Sequence, residues 1–581
     1  MKKNNLVKEA LNSIIKENII MFMVLAFVIA GVVVSSLVPP QILKNIIDNN
    51  LLTKNNDGLL LSAILYFGFI FLIGIFDFVK ESLLTIIGQK ITKEIRIKMM
   101  GKLERLNTMF FSKNGSGKVV SNFTNDVDAI NSMFTSGIIG MIIDCFKIIG
   151  VVFSIWMFSA KLGIIVLFLL PVIYFITRLF QKRMLEAQIE NLVLVGKVNN
   201  HISESVKNIR MIKSFSKESY MEKKYNKYLL DNYETVEKVN FYDSIFSPII
   251  LIIRSIVIAS IVILSSNQLN FLGISIGMIA ASIELISNLF TPIENVGMEL
   301  QNIQQSISGI YRVNEFYNEP EDNEKINELD AKDILNSNNL KIYFNDMTFH
   351  YEEGKEILKN INLQIDSMEK VTFVGRTGVG KSTLFKLIMG LLKPSEGNIT
   401  INDIDVYDIP NKEKRNIFGY VDQSLHVIKG TVAEQISLQD KSITMEEIKN
   451  ALGFVGLSEY IETLEYSYDT VVKNDNLFSQ GQKQLLAIAR AIVTNPPILL
   501  LDEITANLDS ITEEKIVTVL QKASQEHTIL TISHRLSSMI ASDKVVILEN
   551  GNIKNQGSPE MLLQNDDWYR NHIALEKLTW S

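Results

Sequence analysis

The chain has 581 residues, with 57 Lys and Arg against 64 Asp and Glu and a formal net charge of −7. That length exceeds one ordinary domain, and an acidic balance without a basic stripe excludes a nucleic-acid partner. The single cysteine, Cys145, excludes an intramolecular disulfide framework; hydrophobic residues make up 47% and charged ones 21%, an average over two unlike halves.

The chain starts with a basic, amphipathic segment, MKKNNLVKEALNSIIKEN, and runs into an apolar stretch at 19–38. A cleaved signal peptide would have a shorter apolar core, whereas about 20 apolar residues suffice to cross a bilayer. Five more runs of spanning length follow, at 59–76, 136–158, 162–180, 244–264 and 271–290. The stretches between them alternate in charge. Lys161 is the sole charge between the third and fourth runs, and SSNQLN at 265–270 has none. By contrast, 90–118 carries Lys93, Arg96, Lys98, Lys102 and Arg105, and 178–227 is similarly basic. The positive-inside rule places both basic segments, the N-terminus and the C-terminal half in the cytoplasm. The expectation is a multi-pass protein, in the plasma membrane, with six helices that continue beyond the bilayer.

Several spans carry charge: Asp77, Lys80, Glu81, Asp144, Lys147, Arg254 and Glu284. A charge at mid-bilayer costs about 2.5–3.5 kcal/mol on insertion scales unless it faces a partner or water. Lys80 and Glu81 are expected to snorkel from a span end. Asp77, Asp144, Arg254 and Glu284 are expected to face a bundle interior or hydrophilic pathway.

The composition turns polar at 318–339, which reads as a linker between a membrane domain, 1–317, and a second domain, 340–581. The second domain opens with β-type alternation, LKIYFNDMTFHY, and reaches KVTFVGRTGVGKSTLF. There a strand enters Gly375, Arg376, Thr377, Gly378, Val379, Gly380, Lys381 and Ser382, with Thr383 opening a helical pattern. This strand–loop–helix context is what a phosphate cradle needs. Glycines let the backbone approach phosphates, Lys381 neutralises β/γ charge, and Ser382 ligates Mg²⁺. Farther on, the apolar strand of PPILLLDE ends in Asp502, placed for the Mg²⁺ shell, and Glu503, a candidate general base. TILTISH ends another apolar strand at His534, where ligands of a parallel sheet sit. LFSQGQKQLL supplies a second possible anion site, a Ser479, Gln480, Gly481 turn at a helix start.

These motifs, in this order and over essentially the whole length, resemble an ATP-binding cassette exporter half-transporter. The resemblance implies an all-α six-helix membrane domain followed by an α/β P-loop ATPase domain, with ATP and Mg²⁺ as cofactors. It implies that Tyr351 stacks on adenine and that Gln423 senses Mg²⁺ and the membrane domain. It further implies that Asp509 belongs to the D-loop, that Glu503 is the catalytic glutamate, assisted by Lys381, and that His534 is the switch histidine. Ser479, Gln480, Gly481 and Gln482 match the family signature, which closes over ATP held by the opposite subunit. The segments 110–127 and 207–218 resemble the cytoplasmic loops that dock on the ATPase domains. The stretch before the signature, YDTVVKNDN, lacks the usual Gly-Glu pair, and Phe478 stands where leucine is common. With Glu503, Ser479, Gly481 and His534 intact, a homodimer is expected, and a heterodimer is the alternative. The implied activity is export of a drug, lipid or peptide. Uptake of a metal chelate, or an ATP-gated regulatory role, are the alternatives.

Overall fold

A computed structural model of the chain describes residues 5–52, 56–265, 274–322, 340–351, 354–423, 427–472, 477–504, 508, 510–533, 535, 539 and 541–579. It divides into two compact units, Met1–Glu104 with Asn114–Glu319, and Arg105–Lys113 with Pro320–Ser581.

The first unit is helical. Its opening helix, Leu6–Glu17, is capped by the Asn5 side chain, which accepts from the Lys8 N–H, and buries Leu6, Val7, Ala10 and Ile14. Among the described residues six helices follow that are long and apolar enough to cross a membrane: Ile19–Leu51, Asn56–Leu103, Ser116–Phe158, Ala160–Lys207, Glu218–Leu264 and Ile276–Tyr317. At 1.5 Å per residue the longest of them reach about 70 Å, more than twice the ~30 Å hydrocarbon core. The basic segments are therefore helical continuations of the spans. The third to sixth helices share an apolar core that includes Ile155, Leu162, Ile173, Ile250, Ile261, Leu285 and Phe290. Phe27, Phe78, Phe168 and Phe175 point outward and are more than 70% exposed, an apolar exterior that water would not tolerate. Asp126 on the third helix is buried and takes two hydrogen bonds from Arg312 Nε on the sixth, the shorter at 2.9 Å. Lys80 departs from the snorkelling expectation. Its side chain is only 12% exposed because the ammonium is held by Asp77 at 2.8 Å and Glu81 at 3.2 Å, while Glu81 itself stays open.

Among its described residues the second unit has twelve strands: β1 (Ile342–His350), β2 (Glu356–Ile365), β3 (Lys370–Gly375), β4 (Glu396–Ile401), β5 (Ile404–Asp405), β6 (Phe418–Val421), β7 (Gly430–Thr431), β8 (Val471–Val472), β9 (Ile498–Asp502), β10 (Thr528–Ile532), β11 (Lys544–Glu549) and β12 (Asn552–Gly557). The six-stranded sheet runs β12-β11-β3-β10-β9-β6, and a second sheet runs β2-β1-β4-β5. From β11 to β6 neighbouring strands are parallel. β9 and β10 are buried along their whole length, as unbroken apolar runs between layers should be. One core joins the two sheets through Phe344, Phe349, Phe373, Phe385 and Leu500, and a second packs around Ile436, Leu452, Leu486 and Ile488. The short segment Arg105–Lys113 belongs here too. Leu106 bridges Glu321, Arg105 Nε donates to Glu321 at 2.9 Å, and Met109 packs on the first core. Most of the expected linker, 323–339, lies outside the described residues.

The C-terminal helix Asp567–Thr579 buries Tyr569 completely, and its hydroxyl meets no hydrogen-bond partner among the described residues. Burial pushes this phenol up to about 12. Tyr569→Phe removes an unpaired buried hydroxyl, so it should stabilise the domain by about 1 kcal/mol. Thermal unfolding of the two forms checks this, and a lower melting temperature for the variant would show that the hydroxyl is satisfied.

Candidate active site

The parallel strands deliver their loops to one edge of the sheet. Register sets Asp502 level with Ile532, and Ile532 level with Phe373, so the ends of β9, β10 and β3 share a level. Val421, the last residue of β6, pairs with Leu501 one step earlier. The crevice beyond the carboxyl ends of such strands is where ligands bind.

The loop after β3 is shaped by glycine. Gly378 and Gly380 have φ of +85° and +107°, a region that side chains enter only with strain. A Cβ on Gly380 would also come within 2.9 Å of Leu358. The helix Lys381–Ile388 begins directly behind the loop. Lys381 is buried, and its Nζ donates to the carbonyls of Gly375 at 2.8 Å and Arg376 at 3.3 Å. Burial pushes its ammonium down, opposed by the charges of Glu503 and Asp502. Arg376, Thr377 and Val379 complete the loop, and Thr383 Oγ1 lies 3.2 Å from the Tyr351 hydroxyl. Tyr351 itself packs edge-on against Phe349, with ring centroids 4.9 Å apart. The aromatic ring expected at adenine is thus tied to the phosphate loop's own helix.

Two acids close the other side. Asp502 is buried, and burial pushes its carboxyl up; the Ser382 hydrogen bond opposes this, and the charges of Glu503 and Asp422 add to it. Glu503 has φ +49°, and its N–H donates to the Ile532 carbonyl at 2.9 Å. A left-handed conformation costs an ordinary residue about 1–2 kcal/mol. Holding a carboxylate there, at a strand end, is a common mark of functional sites. Gln423, two residues past β6, donates from Nε2 to Glu503 Oε2 at 2.8 Å. Lys381, Ser382, Asp502, Glu503 and Gln423 are therefore one constellation.

Ser479 and Gln482 form a reciprocal cap on the helix Gln480–Ile492: Ser479 Oγ accepts from the Gln482 N–H, and Gln482 Oε1 accepts from the Ser479 N–H. Gly481 has no room for a Cβ against the Thr512 side chain. Removing the cap with Ser479→Ala should lower the stability of this domain by about 1 kcal/mol, read as a lower chemical-denaturation midpoint. Gln484 on the same helix is buried, and its Nε2 donates to the Gln423 carbonyl at 2.9 Å. This link between signature helix and Gln423 went unrecognised in the sequence, where Gln484 is one more polar residue in an amphipathic pattern. Asp509 and His534 lie outside the described residues, as do 473–476 before the signature.

The donor set fits Mg²⁺ shared with phosphates. The Ser382 hydroxyl and the buried Asp502 carboxylate, hydrogen-bonded to each other, are oxygen donors of the kind Mg²⁺ takes. Among the described residues no cluster of three or more His, Cys, Asp or Glu forms a metal cage of its own, and Mg²⁺ typically binds through one or two carboxylates plus phosphate oxygens.

Such a sheet, loop and pair of acids define a P-loop ATPase domain, here on one chain with six membrane-spanning helices. Two family models match: the ABC transporter transmembrane region over residues 19–293, and the ABC transporter domain over 358–506. Together they take in more than half of the chain, which belongs to the ABC transporters; it is an integral membrane protein whose ATPase domain binds ATP. It is 27% identical over 98% of its length to an ATP-dependent lipid A-core flippase of Desulfotalea psychrophila, covering 99% of that protein. It is 26% identical to the Bacillus subtilis "Probable multidrug resistance ABC transporter ATP-binding/permease protein YheH", over 90% of this chain and 77% of the relative. The fold matches a bacterial Atm1-family ABC exporter solved with ATP bound, with TM-score 0.80 and 23% identity over 97% of this chain and 99% of that one.

Proposed function

We propose that the chain is half of an ATP-driven exporter, which moves a hydrophobic or amphipathic cargo by alternating access in a dimer, most simply a homodimer. The observation that carries this reading is the joining of Lys381, Ser382, Asp502, Glu503 and Gln423 into one site, on a chain that also supplies six spanning helices. Lys381 would turn from the loop carbonyls to the β- and γ-phosphates. Ser382 and Asp502, with Gln423, would hold Mg²⁺, which neutralises phosphate charge. Glu503 would orient the attacking water and take its proton. His534 and Asp509 would complete the site.

Ser479 and Gly481 would face ATP bound to the other subunit, because a helix N-terminus stabilises an anion presented to it. Closure would then be favoured only while each γ-phosphate bridges two chains, and hydrolysis would remove that differential contact. With the basic helical continuations inside, both termini are cytoplasmic and the bilayer is the plasma membrane. Names of relatives at this identity point to drugs or lipids as cargo. The test is to measure the mass of the purified chain in lipid nanodiscs, then ATP-dependent movement of labelled amphipaths in vesicles of known orientation. A dimer that accumulates cargo on the side away from its ATPase domains supports the reading. A monomer, or movement toward the ATPase side, overturns the dimer or the direction respectively.

A further inference from the structure

The second, third and sixth spanning helices line a half-open polar cavity of about 410 Å³. Three carboxylates and two lysines line it, Glu81, Asp144, Glu299, Lys80 and Lys147. Of the carboxylates, Asp144 from the third helix and Glu299 from the sixth are buried, 5% and 8% exposed. Among the described residues each of these two has an oxygen without a hydrogen-bond partner, Oδ2 of Asp144 and Oε2 of Glu299, and on the same wall the amide oxygen of Asn131 also lacks one. All three unmatched atoms are acceptors. Lys147 and Lys80 both act on Asp144 electrostatically and Asn295 hydrogen-bonds it, but Lys80 is engaged by Asp77 and Glu81, and the wall still carries three carboxylates against two lysines. Asp144 and Glu299 also sit within each other's field.

A buried carboxylate oxygen without a donor is costly, and more so in a membrane domain. An organic cation would offset the charge on those oxygens by coulombic attraction, with or without a hydrogen-bond donor. The cavity is far larger than a bare metal ion needs, and the described residues offer no cluster of metal ligands. Local sequence has made room for the arrangement. A Cβ on Gly140 would overlap the Glu299 carboxylate, and one on Gly88 would overlap the Asn131 amide.

We propose that this cavity is a subsite for the positively charged group of an organic amphipath, an ammonium or phosphonium centre held between Asp144 and Glu299. The assignment rests on the transporter reading above and narrows its cargo to cations.

The test uses the full chain in lipid nanodiscs, with empty nanodiscs subtracted, and two probes of the same shape and opposite charge: tetraphenylphosphonium and tetraphenylborate. The wild type should prefer the cation. Asp144→Asn combined with Glu299→Gln should reduce that preference by about tenfold or more, since the coulombic attraction of two carboxylates for the cation is lost without loss of volume. Gly140→Ala keeps both acids but displaces Glu299, and should reduce the preference partway. Equal affinity of the wild type for the two probes, a comparison that needs no variant, overturns the subsite, as does an unchanged preference in the double variant. ATP hydrolysis and cargo movement are recorded on the same preparation. A chain that pumps but does not discriminate the probes loses only the subsite. A chain that selects the cation but never moves it under ATP loses only the transporter reading.

Discussion

Glu503→Gln should lower ATP hydrolysis by about 10²- to 10⁴-fold, the range for removal of a positioned general base. The substitution is close to isosteric. Gln423 Nε2 now donates to Glu503 Oε2 at 2.8 Å, and the amide oxygen of a glutamine can accept the same bond. The backbone at φ +49° and the N–H bond to Ile532 are unaffected in kind. What disappears is the capacity to take a proton from water. ATP affinity should therefore hold while turnover collapses, and the ATP-closed state should persist. Steady-state hydrolysis beside direct ATP binding separates the two effects. A variant that hydrolyses ATP at the wild-type rate would falsify the role of Glu503 and move the search to other groups around Asp502.

The second large effect is expected at Lys381, and on binding rather than turnover. Its ammonium is buried and folded onto the Gly375 and Arg376 carbonyls, within the field of Asp502 and Glu503. Phosphate oxygens are better acceptors than those two carbonyls, and each charge-assisted bond is worth about 1.5–3 kcal/mol. Lys381→Ala should weaken ATP binding by about 10- to 150-fold per bond lost. It also leaves the buried Asp502 and the half-buried Glu503 without the cation beside them, so some loss of domain stability should accompany it. Titration with a fluorescent ATP analogue, with chemical denaturation alongside, reads both. An unchanged dissociation constant would mean that the loop N–H groups alone hold the phosphates.

Much of this molecule is legible in one dimension because its rules are local. Spanning length and the distribution of Lys and Arg give six helices, since a bilayer forces every backbone group to be paired within its own segment. Glycine at 375, 378 and 380 before Lys381 and Ser382, between a strand and a helix, specifies a phosphate loop through backbone conformation alone. An apolar strand ending in Asp502 and Glu503 follows the same logic. The sequence determined these elements and the chemistry each can offer.

What the tertiary structure decided is which groups meet, because meeting depends on strand order and helix packing that no short window encodes. Gln423 reaches Glu503 across 80 positions because β6 and β9 are neighbours in the sheet. Gln484 steadies Gln423 from a helix whose pattern shows only amphipathicity. Glu503 occupies a left-handed conformation that glycine would take more readily, and nothing in its neighbours announces it. Lys80, readable as a snorkelling charge, is turned inward by Asp77 and Glu81. Asp144 and Glu299, 155 positions apart, become lining of one cavity only when the third and sixth helices pack. Local sequence sets backbone conformation and charge; the pairing of distant side chains is set by packing, which is where this protein's sites are assembled.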